Sequence, residues 1–194
     1  MARGPRARML ARMEQGWRPT SMPGVMRRSL VPHDDPRGTL REAWRASWLA
    51  DLQLDSLAQA NHTVSRAGAL RGVHFHLRQT DIWVLLDGRG DVGLADIRDL
   101  LAGGSGPAPT LNLELTSGDC LVIPVGVAHG LWALTGVSLL YLVTAEYDAT
   151  DEHGFAWNDP AAAIPWRSGT PILSERDRSA PALADAVARA RAAR

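Results

Sequence analysis

Residues 68–88, GALRGVHFHLRQTDIWVLLDG, decide how this chain folds. They carry Arg71, His74, His76 and Asp81, then an apolar run at 82–86 that reads as a buried strand. In an extended chain alternate side chains point the same way. His74 and His76 therefore share a face with Gly72, and Phe75 turns to the other. Two imidazoles side by side within a β scaffold point to chemistry rather than packing. A partner stretch at 118–132, GDCLVIPVGVAHGLW, brings in His129.

Outward from this stretch the pattern stays β. Strands are expected at 39–49, 56–65, 70–77, 82–86, 91–97, 111–115, 120–123, 130–134 and 137–147, punctuated by Asp87-Gly88 and Arg89-Gly90 turns. Residues 102–109, AGGSGPAP, read as a flexible loop. Many short strands at regular spacing predict an all-β sandwich or barrel. Residues 182–194, rich in Ala and Arg, predict a short C-terminal helix. Residues 1–28 read as a disordered or mis-started basic leader: residues 1–30 hold seven arginines and one acid, Glu14. The folded domain is expected at 29–181.

Composition narrows the function. The chain has 194 residues, enough for one domain with a core, and a formal net charge of zero, so the domain as a whole makes no electrostatic case for nucleic acid. All 21 basic residues are arginine, which excludes a Schiff-base lysine or a Walker-type phosphate lysine. The single cysteine, Cys120, excludes an internal disulfide and fits a cytoplasmic location. No stretch approaches the ~20 apolar residues of a membrane span.

Two spacings match the cupin signature. The first is Gly68, His74-x-His76, Asp81 and Gly88; the second is Gly118, Pro124-x-Gly126 and His129. They imply a cupin double-stranded β-helix, or jelly roll. A narrower resemblance runs from about residue 35 to 181, and it is to the dTDP-4-dehydrorhamnose 3,5-epimerase family. It rests on Asp35-Pro-Arg37-Gly38 with Glu42, Gln59-Ala-Asn61-His62, LRGVHF around His74, and Ala95-Asp96-Ile97-Arg98. It continues through IPVGVAHG around His129, Tyr141 with Tyr147, WNDP at 157–160, and LSERD ending at Asp177.

The resemblance implies a metal-free, cofactor-free homodimer that moves protons at C3 and C5 of a 4-keto-6-deoxyhexose joined to a nucleoside diphosphate, dTDP above all. By resemblance His74 is the base, Asp177 holds its imidazole in the right tautomer, and Tyr141 is the acid on the opposite face. Arg37, Arg71, Glu42, Gln59 and Asn61 would hold the nucleotide, since guanidinium forks fit phosphate oxygens. His76, Arg78, Asp81, His129 and Tyr147 would surround the sugar. The dimer is expected to exchange an N-terminal strand near residues 25–48, with Arg37 and Glu42 completing the neighbour's site.

Two positions depart from the family pattern. A lysine is expected near the sugar ketone where this chain has Asp81, and a glutamine where it has His76. Arg78 is the nearest substitute cation in sequence. Three other readings stay open: a metal-dependent cupin using His74, His76, Asp81 and His129; a catalytically impaired relative that binds a nucleotide sugar; and a sugar ketoisomerase. His62 and His129 read as supporting residues, His33 and His153 as exposed loop residues, and WNDP as a structural turn.

Overall fold

The computed structural model describes residues 16–167 and 169–193. Its strands are β1 (Arg18–Pro19), β2 (Met26–Ser29), β3 (His33–Asp35), β4 (Gly38–Leu40), β5 (Gln59–Ser65), β6 (Leu70–Phe75) and β7 (Asp81–Asp87). They continue with β8 (Arg89–Asp96), β9 (Thr110–Thr116), β10 (Asp119–Ile123), β11 (Val127–Ala133), β12 (Val137–Val143) and β13 (His153–Gly154). Short helices are α1 (Trp48–Leu52), α2 (Arg98–Ala102), α3 (Glu175–Arg178) and α4 (Leu183–Ala192).

Two antiparallel sheets face each other. One has the order β1-β2-β10-β7-β12-β5, the other β13-β6-β11-β8-β9. From β5 to β13 consecutive strands alternate between the sheets except at the β8–β9 hairpin, as in the jelly roll that the two sequence halves imply. The inner core is set by alternation: Trp83 and Leu85 of β7 pack inward with Leu121 and Ile123 of β10 and Val92 and Leu94 of β8. Ile82 and Val84 turn outward and are still fully buried, under Trp48, Trp44, Leu52 and Leu140. Both faces of β7 are therefore covered, which is why its sequence reads as an unbroken apolar run. Cys120 lies in the same outer layer, and burial pushes its thiol up to about 12.

A second outer layer covers the other sheet. Val73 and Phe75 of β6 pack against Phe155, Ile164, Leu183 and Val187, so the C-terminal segment and α4 lie on the back of the strand that carries His74. The WNDP turn fastens this layer, because Asp159 accepts the Leu183 backbone N–H at 2.8 Å at the start of α4. Gly72 permits a close approach. A Cβ there would stand 2.7 Å from Gly130 Cα and 2.8 Å from the His129 carbonyl, and its φ is +124°. No larger residue allows β6 and β11 to meet at the two histidines.

Several expectations change. Part of the expected leader is folded: β1 and β2 join the first sheet, and β2 pairs with β10. Residues 1–15 of that expectation lie outside the described residues. The strand expected at 39–49 is only β4 followed by a turn into α1. Trp44 and Trp48, four residues apart, pack edge to face at 5.8 Å, a spacing that suits a helical turn and not a pleat. β12 ends at Val143 rather than 147. The expected 102–109 loop begins one residue late, because α2 runs to Ala102 and stops on Gly103 in the left-handed region. β2 pairs with β10 within the chain. β3 and β4 form an exposed sheet of their own.

Candidate active site

A cavity of about 610 Å³ opens between the two sheets. β6 brings His74 and Arg71 to it, β7 brings Asp81 and Trp83, β11 brings His129, and β12 brings Tyr141. Gln59, Asn61 and Thr63 line it from β5, where their inward positions alternate with exposed Ala60, His62 and Val64. Residues 172–174, Arg176 and Asp177 close one side.

His74 Nε2 lies 2.8 Å from Asp177 Oδ1. A carboxylate only accepts, so the imidazole donates from Nε2 and its lone pair is on Nδ1. Asp177 is held at the start of α3, where its backbone N–H donates to Ser174 Oγ at 3.1 Å. Burial alone would raise the Asp177 carboxyl. The hydrogen bond and charge of His74, with donation from Ser174 and the Gly72 backbone, outweigh it and hold the group below the usual aspartate value. His74 Nδ1 faces Glu152 Oε1 at 3.8 Å, and Glu152 is itself held by Arg176 at 3.0 Å. The His74 ring therefore lies between two carboxylates, Asp177 at Nε2 and Glu152 beyond Nδ1.

Tyr141 enters from the sheet opposite His74. Its hydroxyl is raised above the ordinary tyrosine value, mainly by burial and then by the charges of Asp81 and Glu152, against a smaller lowering by Arg71. It holds its proton through neutral pH, as a proton donor must.

The floor holds His76, Asp81 and His129, all buried. His76 Nδ1 meets the Asp151 carbonyl at 2.9 Å, and His129 Nδ1 meets the Val127 carbonyl at 3.1 Å. Carbonyls only accept, so both rings donate from Nδ1 and keep a lone pair on Nε2. Gln79 donates to Asp81 Oδ1 at 2.7 Å, and Trp83 Nε1 donates to Oδ2 at 3.1 Å. His129 is pushed down to about 4, chiefly by burial, with Asp81 opposing and His76 adding to the fall. It is neutral at physiological pH.

The other expected residues divide. Gln59, Asn61, Arg71 and Tyr147 line the cavity. Gln59 donates to Asn61 at 2.7 Å and accepts from the Tyr147 backbone at 2.9 Å, so the three are set together. Arg71 donates to Ser65 Oγ at 2.8 Å and stays exposed. Arg78 turns away. It pairs with Asp148 at 2.6 Å and borders a separate small cleft, so it does not occupy the cationic position opened by the missing lysine. Arg37 and Glu42 are exposed and paired with Asp35 and Arg45, away from this cavity within one chain. His62 faces outward and meets Ser138 at 2.8 Å, so it supports no cavity residue directly. His153 is not an exposed loop residue; it stacks on Phe75 at 5.1 Å.

Three contributors escaped sequence reasoning: Glu152, Arg176 and Asp151. Asp151 orders the floor by accepting from the Leu77 and Arg78 backbones at 2.8 and 3.1 Å, while its carbonyl fixes His76. The available signal was the acidic run Asp148, Asp151, Glu152 following Tyr147, which by itself reads as a solvated loop.

The family model for dTDP-4-dehydrorhamnose 3,5-epimerase matches residues 19–185. The chain belongs to that family. Its members are isomerases, and the match covers both sheets and the dyad. A dTDP-4-dehydrorhamnose 3,5-epimerase of Sinorhizobium fredii is 35% identical over 159 residues, covering 78% of this chain and 80% of that protein. The structure is similar to NovW, a 4-keto-6-deoxy sugar epimerase of Streptomyces spheroides, with a TM-score of 0.76 and 30% identity over 88% of each chain. It is equally similar to ChmJ, a 3'-monoepimerase of Streptomyces bikiniensis solved with dTDP-quinovose, at TM-score 0.77 and 30% identity, covering 86% and 87% of the two chains. The epimerase family thus includes single-carbon as well as two-carbon members.

Proposed function

We propose that this epimerase inverts C3, C5 or both in a dTDP-linked 4-keto-6-deoxyhexose. The reading is carried by the His74–Asp177 pair at 2.8 Å in a cavity that Tyr141 enters from the facing sheet. A proton beside a ketone is acidic only while the enolate oxygen is stabilised. His74 removes it through Nδ1, Asp177 fixes the ring, and Tyr141 returns a proton from the other side. Gln59, Asn61, Arg71 and Arg176 lie along the cavity wall as donors for the diphosphate and nucleoside. The proposed assembly is a homodimer in which the exposed β3–β4 arm carries Arg37 and Glu42 to the neighbouring cavity.

Deuterium uptake from heavy water into dTDP-4-keto-6-deoxy sugars tests this reading. Exchange at C3 or C5, absent in His74→Ala, is the expected result. No exchange at either carbon in any such sugar overturns it. For the assembly, light scattering at micromolar concentration is expected to give a dimer; a stable monomer removes it.

A further inference from the structure

The floor of the cavity has the build of a metal site. His76, Asp81 and His129 each offer one ligand atom, and these atoms lie within 4.8 Å of one another. Metal–ligand bonds of about 2.1 Å set ligand atoms roughly 3.0 to 4.2 Å apart, so side-chain adjustment of about an ångström closes the set. The His129 Nε2 to Asp81 Oδ2 separation is 3.8 Å, already inside that range and too long for a hydrogen bond.

The groups behind the three residues argue the same way. Each imidazole spends its N–H on a backbone carbonyl, Asp151 for His76 and Val127 for His129, which fixes the tautomer that presents Nε2 as a lone pair. Metal-binding histidines are oriented by this kind of outer hydrogen bond. The Asp81 carboxylate is aimed by Gln79 and Trp83. Two converging lone pairs and an anion give this floor no hydrogen-bond donor of its own. A cation satisfies all three, and this is a 2-His-1-carboxylate set with open positions toward the cavity.

We propose that His76, Asp81 and His129 bind one divalent first-row transition ion in the cavity floor. His74 is outside the set, because Asp177 engages its Nε2. The proton-transfer dyad and the ion therefore share the cavity without sharing a ligand. The ion stands where the family resemblance places a lysine, and it supplies a positive charge able to polarise a carbonyl oxygen of a bound ligand. The site does not depend on the epimerase reading, and each can fail while the other holds.

The experiment uses the full chain, stripped with chelator and titrated with Co²⁺. One Co²⁺ per chain is expected, with visible ligand-field bands typical of nitrogen and oxygen donors. Asp81→Asn and His129→Gln are expected to weaken binding at least tenfold, and His74→Ala to retain it. Should the variants fold poorly, Zn²⁺ added to the wild-type chain gives the second readout. It is expected to shift the imidazole nitrogen signals of His76 and His129 and leave those of His33 and His62 in place. Absence of stoichiometric Co²⁺ binding overturns the proposal, as does undiminished binding by Asp81→Asn or a Zn²⁺ response confined to other histidines.

Discussion

His74 and Asp177 stand 103 residues apart in the chain and 2.8 Å apart in the fold. The contact joins a strand of the second sheet to the first turn of a four-residue helix that is otherwise exposed. It fixes which nitrogen of His74 is free. If Asp177 is replaced by Asn, the amide can donate to Nε2 and drive the proton to Nδ1, turning the base into a donor. Asp177→Asn is expected to lower deuterium exchange about 10²- to 10⁴-fold, the usual worth of a positioned acid or base, with nucleotide affinity kept. Calorimetric titration with dTDP beside the exchange rate checks both halves.

Tyr141 gives the complementary result. Its raised hydroxyl keeps its proton, as the proposed acid on the opposite face must. Tyr141→Phe removes the acid and leaves the base, so exchange at the attacked carbon should persist while inversion falls by about 10²-fold or more. Proton NMR of the product sugar distinguishes exchange with retention from epimerisation. Full epimerisation by the variant would remove Tyr141 from the mechanism.

Asp119 offers a test of the fold that leaves the site alone. Arg27 and Ser29 of β2 donate to it at 2.9 and 2.7 Å, and the Thr116 backbone at 2.9 Å. Burial would raise its carboxyl, yet the Thr116 and Ser29 donors and the Arg27 charge hold it below the usual value. A carboxyl with a depressed folded pKa stabilises above its unfolded pKa, about 3.9, and loses that contribution as pH falls through the folded one. Asp119→Asn should therefore cost about 1–3 kcal/mol at pH 7. The gap from wild type should stay level down to about pH 5 and close below about pH 4. Urea melts across that range measure it; a gap that widens in acid would refute the assignment.

The pleat made much of the site legible. His74 and the turn glycines fall on a two-residue period and fixed turn spacings, so the histidine strand and its partner at His129 could be read directly. The dyad could not be read from spacing, because nothing local links residue 74 to residue 177; it came through resemblance. Glu152 and Arg176 had neither aid. β2 was hidden by its composition: MRRS looks like a solvated basic tail. In the fold Arg28 lies 4.2 Å over the Trp48 ring and Arg27 pairs with Asp119, so the arginines hold the strand to the sheet. Arg78 misled for the opposite reason. It is close to the vacancy in sequence, but the chain turns after Phe75, and Asp148 and Asp151 draw the guanidinium outward.

The last prediction concerns Asp81, whose position is the clearest departure from the family pattern. Its carboxylate is buried in the cavity floor between two histidines and accepts from Gln79 and Trp83. A carboxylate alone opposes a developing enolate, and loss of one oxyanion donor typically costs about 10²- to 10³-fold in rate. A metal ion held by the floor answers that deficit with one positive charge source; a lysine ammonium answers it with another. Asp81→Lys should therefore abolish Co²⁺ binding and still support exchange on the ordinary dTDP-4-keto-6-deoxy sugar, at a rate above that of metal-stripped wild type. Nucleotide affinity should stay about the same, because the proposed diphosphate donors lie along the wall and not in the floor. Metal-stripped wild type, which keeps the anion and lacks the ion, should be the slowest of the three, with the neutral Asp81→Asn between it and Asp81→Lys, and all three should still bind dTDP. Parallel exchange rates and dTDP titrations for stripped wild type, Asp81→Lys and Asp81→Asn decide the matter. If Asp81→Lys loses dTDP binding, or if all three proteins exchange alike, the charge at position 81 does not act on the sugar ketone.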